Sequence, residues 1–190
     1  MQKRSRKFVA ILLTLMPALC LHAQGTKAQP LDLGLTYQAQ RALSVNSGQS
    51  FWLQGGNAEL GADAWHGLGA AFSLSGSHTT MGSSSVPLSM VVWTAGPRYR
   101  WHNGHRLSLY AEALGGEANG FDSVFPASRG AQSEANSFAF RTGFGVDYRV
   151  RTHLALRLLD ASYLRTGFSN ATNNTQHIFQ VGAGVVVRFH

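Results

Sequence analysis

Ten ionisable side chains lie on the polar side of an every-second-residue alternation: Glu59, Arg98, Arg100, Glu112, Arg141, Asp147, Arg149, Arg157, Asp160 and Arg188. Six are arginines and four are acids, set among glycines and serines. A planar guanidinium fork facing a carboxylate makes a bidentate ion pair, which is most useful where water is excluded. A face washed by solvent would draw on lysine and glutamate with long flexible stems. Past residue 23 the chain has a single lysine, Lys27. The set is therefore expected to form an enclosed interior charge network.

Other residue types could do chemistry, and each lacks a partner. Seven histidines follow residue 23: His66, His78, His102, His105, His153, His177 and His190. His102 and His105 are three apart, but no cysteine or carboxylate completes a zinc-ligand spacing, so no metal is expected and the histidines read as turn and interface residues. Ser169, in Gly167-Phe168-Ser169-Asn170-Ala171, has no histidine among its near neighbours in the sequence. A serine hydroxyl without a base is a poor nucleophile. The glycines alternate within extended segments and precede no helix, so no phosphate loop and no cofactor is expected.

The elements that carry these residues are strands. Leu31, Leu33, Leu35, Tyr37 and Ala39 alternate with Asp32, Gly34, Thr36, Gln38 and Gln40, which is one apolar and one polar face. The same rhythm runs through 50–62, 67–76, 89–101, 107–113, 138–149, 154–166 and 178–189, giving eight strands. Segment 154–166 changes register: Leu154, Leu156 and Leu158 share a face, then Leu159, Ala161 and Tyr163 do. A β-bulge near Leu158–Leu159 is predicted there. Connections 63–66, 102–105 and 150–153 are short, while 42–49, 77–87, 119–135 and 167–177 are longer and rich in Ser, Gly and Asn. Short turns at one end and long loops at the other are the asymmetry of a transmembrane barrel.

The first 23 residues stand apart. Lys3, Arg4, Arg6 and Lys7 precede an apolar run at 8–21 that is too short for a membrane helix and is interrupted by Pro17. This is the pattern of a secretory signal peptide, cleaved after Ala23 or as far on as Ala28. Acylation of Cys20 is the less favoured alternative, because Leu19 before it is bulky. The mature chain then has no cysteine and no disulfide. Removing four cations from 16 leaves 12 against 9 anions, a balance of +3 in place of +7. Scattered cations at that balance argue against a nucleic-acid partner. Apolar residues make up 44% of the chain, yet after residue 21 no run has membrane-helix length, so they are spread as one greasy face. Charges collected opposite that face favour a membrane barrel over a soluble β-sandwich. Tyr37, Trp52, Trp93, Tyr99, Trp101, Tyr148, Phe168 and Phe189 fall mostly near strand ends, where interfacial girdles sit.

The last strand, Gln180-Val181-Gly182-Ala183-Gly184-Val185-Val186-Val187-Arg188-Phe189, resembles the C-terminal signal of outer-membrane proteins, with Gln180, Gly182, Val185, Val187 and Phe189 at its marked positions. His190 is a departure, since it displaces the aromatic from the last place. Together with Gly96-Pro97-Arg98-Tyr99-Arg100 and Gly143-Phe144-Gly145-Val146-Asp147, it makes residues 30–190 similar to the small OmpA/OmpX-like outer-membrane β-barrels. The resemblance implies an all-β, eight-stranded antiparallel up-and-down barrel in a Gram-negative outer membrane. It also implies insertion by the barrel-assembly machinery, and contact with outer-membrane lipid and lipopolysaccharide. A monomer is expected. Gly167–Ala171 is similar to the His-x-Ser-Asn motif of lipid A 3-O-deacylases except that the histidine is missing, which argues against an enzyme. A barrel of eight strands is just wide enough to be filled by side chains. The expected role is therefore structural or surface-interacting, through loops holding Phe121, Val124, Phe125 and Arg129. A lipid-modifying enzyme and a small pore are the alternatives.

Overall fold

Alternation builds strands along nearly all of the described residues. The structure is a computed structural model and describes residues 31–45, 49–81, 86–102, 106–121, 125–127, 130–132, 134–168 and 175–189. The leader at 1–23 and its processing region lie outside the described residues, as do Val124, Arg129, His105, Ser169, Asn170 and His190.

The strands are β1 (Leu31–Val45), β2 (Gln49–Trp65), β3 (Leu68–Met81), β4 (Val86–His102), β5 (Leu107–Phe121), β6 (Phe125–Ala127), β7 (Gly130–Gln132), β8 (Ala135–Arg151), β9 (Leu154–Thr166) and β10 (Gln176–Phe189). Eight of them close into one antiparallel barrel in the order β1-β10-β9-β8-β5-β4-β3-β2, and β6 pairs only with β7. The seam joins first and last strands from Leu31↔Phe189 to Leu43↔His177, which leaves no open edge.

The polarity of the wall is the reverse of a soluble protein's. Leu60, Phe144 and Val181 are 49%, 56% and 54% exposed, while Glu59 and Gln180 beside them are buried. Because successive side chains point to opposite faces, one alternation sets both an apolar outside and a polar inside. Tyr37, Trp52, Tyr99, Trp101 and Phe189 point outward, and so does Trp65. Phe168 is a correction: it is buried at the top of the lumen instead of standing in an aromatic girdle.

The bulge is present at Leu158. Val146 pairs with Leu159 and Asp147 with Arg157, so β8 skips Leu158; on the other side Gly182 faces Asp160 and Gly184 faces Arg157. In a regular strand Arg157 and Asp160 would point to opposite faces. The extra residue lets both point inward, and both are about 1% exposed. Deleting Leu158 restores plain alternation while keeping Arg157 and Asp160 on the inner face. The shortened protein is therefore expected to fold and to keep its heat-shifted migration on gels. Loss of that shift would show that the bulge has a role beyond side-chain direction.

The two ends differ less than the sequence suggests. At the turn end, β2 runs on to Trp65 and reverses through His66-Gly67, both at positive φ (47° and 86°), the primed hairpin turn whose twist matches the strands. At the other end, residues read as long loops are largely strand: β1 extends to Val45, β3 to Met81, β5 to Phe121, and β4 and β8 begin at Val86 and Ala135. Phe121 is accordingly half-buried at a strand end, paired with Ser89, and not in a loop. Ladder hydrogen bonds use the backbone, so Ser-, Thr- and Gly-rich sequence can continue a strand when a neighbour is already in place. Strands of 13 to 17 residues exceed the roughly 9–11 that cross a bilayer, so the barrel wall projects beyond it at this loop end.

Candidate functional site

The lumen is where polar groups converge, and it is layered along its axis. Nearest the turn end, Arg98 of β4 is fully buried and grips Asp32 of β1 with both guanidinium nitrogens at 2.9 Å. It also reaches Asp63 at 3.1 Å and Glu59 at 3.4 Å. Gly61 lies opposite, and a Cβ there would overlap the Arg98 guanidinium, so glycine makes room for the fork. Arg100 pairs with Asp32, and with Asp63 at 3.4 Å and Asp147 at 3.7 Å.

One layer deeper, Arg157 links Glu59 at 3.1 Å and Asp147 at 3.0 Å. Its guanidinium carbon lies 4.3 Å from the centre of the Tyr110 ring, a stacking geometry that suits a weakly hydrated planar cation. Gly145 faces the edge of that ring, where any side chain would collide with it. Arg141 spans Asp160 at 3.3 Å and Glu112 at 3.5 Å, and donates to Ser73 Oγ at 2.6 Å. Arg188 reaches Asp147 at 3.6 Å and Ser108 at 2.9 Å. Shared carboxylates make this one network: Glu59 joins Arg98 to Arg157, Asp147 joins Arg100, Arg157 and Arg188, and Asp160 joins Arg157 to Arg141.

Nine of the ten sequence-derived residues meet here. Arg149 does not. It is exposed at the turn-end rim, because β8 is running out of the barrel and no facing strand covers it. Two acids that complete the network, Asp32 and Asp63, are absent from the sequence-derived set. Asp32 is on the inward parity of its strand. Asp63 falls in the sequence's short connection 63–66, but β2 carries it inward before reversing at His66.

Above the charges lies a belt of neutral polar groups, in which Ser73 bonds Asn57 at 2.7 Å and Ser162 bonds Gln180 at 2.9 Å. Above that the interior turns apolar. Ala42, Leu53, Met90, Val92, Ala118, Ala139, Leu164, Ile178 and Phe168 form one buried cluster at the loop end. The expected charge network therefore fills only part of the interior. The wall projects past the membrane there, and an interior that still excludes water is filled by ordinary hydrophobic packing.

Among the described residues, no serine of the lumen is hydrogen-bonded to a histidine. His78 meets Ser89 at 3.0 Å on the outer face, and His177 pairs with Tyr163 there too. No cluster of three or more potential metal ligands occurs among the described residues.

Comparison with known proteins places this geometry. The family model described as an outer membrane protein beta-barrel domain matches residues 10–189. The solved structure of Neisserial surface protein A is similar with a TM-score of 0.67 at 17% identity, covering 84% of this chain and 97% of that one. Ail, the attachment invasion locus protein of Yersinia pestis, solved in complex with the heparin analogue sucrose octasulfate, gives 0.58 at 16% identity, covering 86% and 100%. A major outer membrane protein from Thermus thermophilus gives 0.50 at 14% identity, covering 83% and 99%. No curated protein sequence matches the chain. Identities this low speak for the fold alone.

Proposed function

Because this chain belongs to the outer membrane protein β-barrel domain family and resides in the bacterial outer membrane, we propose that it is a non-enzymatic integral barrel with a structural or surface-interaction role and a lumen plugged by side chains. The observation that carries this reading is the double closure of the interior. A connected ion-pair network fills the turn-end half, and a buried apolar cluster caps the other half. An ion entering from the loop end would have to cross packed leucine, isoleucine and phenylalanine, at the cost of its hydration.

What remains accessible is the outside. At the loop end Arg41 lies 5.7 Å from the centre of the Trp52 ring. Arg165 stands exposed on β9, paired in register with His177. Cations beside aromatics at a membrane boundary suit phosphorylated lipid headgroups, which supports lipopolysaccharide and outer-membrane lipid as partners of a monomer. Gln180, Gly182, Val185, Val187 and Phe189 serve as the assembly signal in this reading. In the closed barrel their strand is paired on both sides, so the assembly machinery would have to read it before β1 joins β10.

Two measurements test the proposal together. Purified protein in planar bilayers is expected to show no steady large openings. Lipid A from cells with and without the protein is expected to give the same mass spectrum. Sustained conductance would replace this reading with a pore, and a missing acyl chain would replace it with a deacylase.

A further inference from the structure

The rim that excludes Arg149 from the interior network is itself a site. At the turn end, which faces the periplasm in this orientation, the mouth of the barrel holds a cavity of about 530 Å³. Arg100 and Arg188 line it from inside, and Arg106, Arg149 and Arg151 from the rim. Two acids, Asp32 and Asp63, also line it, but their charges are already taken. Asp32 is held by Arg98 and Arg100, and Asp63 by the same two arginines.

The rim arginines are different. Arg106 donates to the Tyr148 hydroxyl at 3.4 Å, and among the described residues neither Arg149 nor Arg151 is ion-paired. All three are exposed. The backbone N–H of Arg149 donates to the carbonyl of Arg106 at 2.7 Å, which continues the β5–β8 ladder by one pair and sets these two cations side by side on the rim. Among the described residues the acids outside the network stand elsewhere: Glu134 is exposed at the loop end, and Glu117 is half-buried on the loop-end half of β5. Like charges gathered in a concavity repel one another, and low-dielectric walls focus their field onto whatever enters.

We propose that this mouth is a binding site for a phosphate-bearing ligand carrying at least two negative charges. Arg106, Arg149 and Arg151 would supply the forks, and Arg188 and Arg100 the positive floor. Three uncompensated guanidiniums exceed what one carboxylate neutralises. The oxygens of a phosphate accept from several directions at once, as this ring of donors requires. The phosphate could come from a phospholipid headgroup of the inner leaflet or from a soluble molecule in the periplasm.

The experiment uses the full mature chain refolded in phosphatidylcholine nanodiscs, titrated calorimetrically with inorganic pyrophosphate at low salt, where charge interactions are least screened. Saturable binding is expected. R149Q/R151Q should weaken it at least about tenfold, the scale of one lost charge-assisted hydrogen bond. E134Q, which changes an exposed charge at the opposite end, should leave it unchanged. Heat-shifted migration confirms that each variant is folded, and R106Q alone provides a second test if the double variant is not. Repeating the titration in phosphatidylglycerol discs identifies the source. Weaker pyrophosphate binding there means that headgroups occupy the mouth, and equal binding means a soluble ligand; both outcomes support the site. Absence of saturable binding in phosphatidylcholine discs, or binding that is indifferent to R149Q/R151Q and R106Q, overturns it. Neither result bears on conductance or lipid A chemistry, so this site and the surface-acting role can fail separately.

Discussion

Replacing Arg98 with methionine is expected to cost about 3–5 kcal/mol of barrel stability, the range for removing one partner from a buried ion pair. The side chain is fully buried and touches three carboxylates, those of Asp32, Asp63 and Glu59. Methionine fills similar space but supplies no positive charge, so the acids face one another across a lumen from which water is largely excluded. Arg100 and Arg157 still hold them from one side, which is why the expected loss is bounded. Urea unfolding in lipid vesicles, followed by tryptophan emission, measures it. Adding Asp32→Asn to the Arg98→Met background should recover part of the loss, since the two sites share a bidentate pair and cannot behave additively. A loss below about 1 kcal/mol for the single variant, the scale of a solvated surface pair, would mean that water reaches the network freely.

Leu60→Arg tests the opposite face, with an expected loss of about 2–4 kcal/mol, the depth-dependent cost of a cation on the lipid side of a barrel near the bilayer midplane. Leu60 is 49% exposed and pairs with Leu33 and Phe72, so its surroundings on the wall are wholly apolar. Trp65→Arg, five residues nearer the turn end on the same strand and 71% exposed, should cost only about 0–1 kcal/mol because the guanidinium reaches the interface. The same vesicle unfolding assay compares the two. Equal and negligible effects would indicate a wall that meets water, as in a soluble protein with exposed leucines. A steep difference between two exposed positions on one strand has no explanation except a solvent that changes with depth.

Much of this was legible from the residues in order. Period two is a local property: each strand carries its inside and outside in its own sequence, because the pleat alternates side chains whatever lies next to it. That is why the apolar face of β10, the arginines on the inner parity of β4 and even the slip at Leu158 could be read without a neighbour in view. The same locality explains the misses. Ala42, Leu53, Met90, Val92, Leu164 and Ile178 come from five different strands, and nothing within any one strand marks them as a shared core. Only register brings them together as a cap. Residues 42–45 and 77–81 read as loop because they run into the Asn-, Ser- and Gly-rich sequence at 46–48 and 82–85, yet pairing with strands already in place holds them extended.

Arg149 shows where the boundary falls. Its parity correctly points it toward the axis, and nothing in parity says how far along the axis the covering wall extends. Side-chain direction is settled one strand at a time by the chirality and pleat of the backbone, so the order of residues was enough to determine an apolar exterior, a charged interior and a membrane address. Depth, shared carboxylates and the end of the lumen depend on which residue of one strand stands beside which residue of the next. Those are distances across the sheet, and they come into being only when β1 meets β10 and the barrel closes.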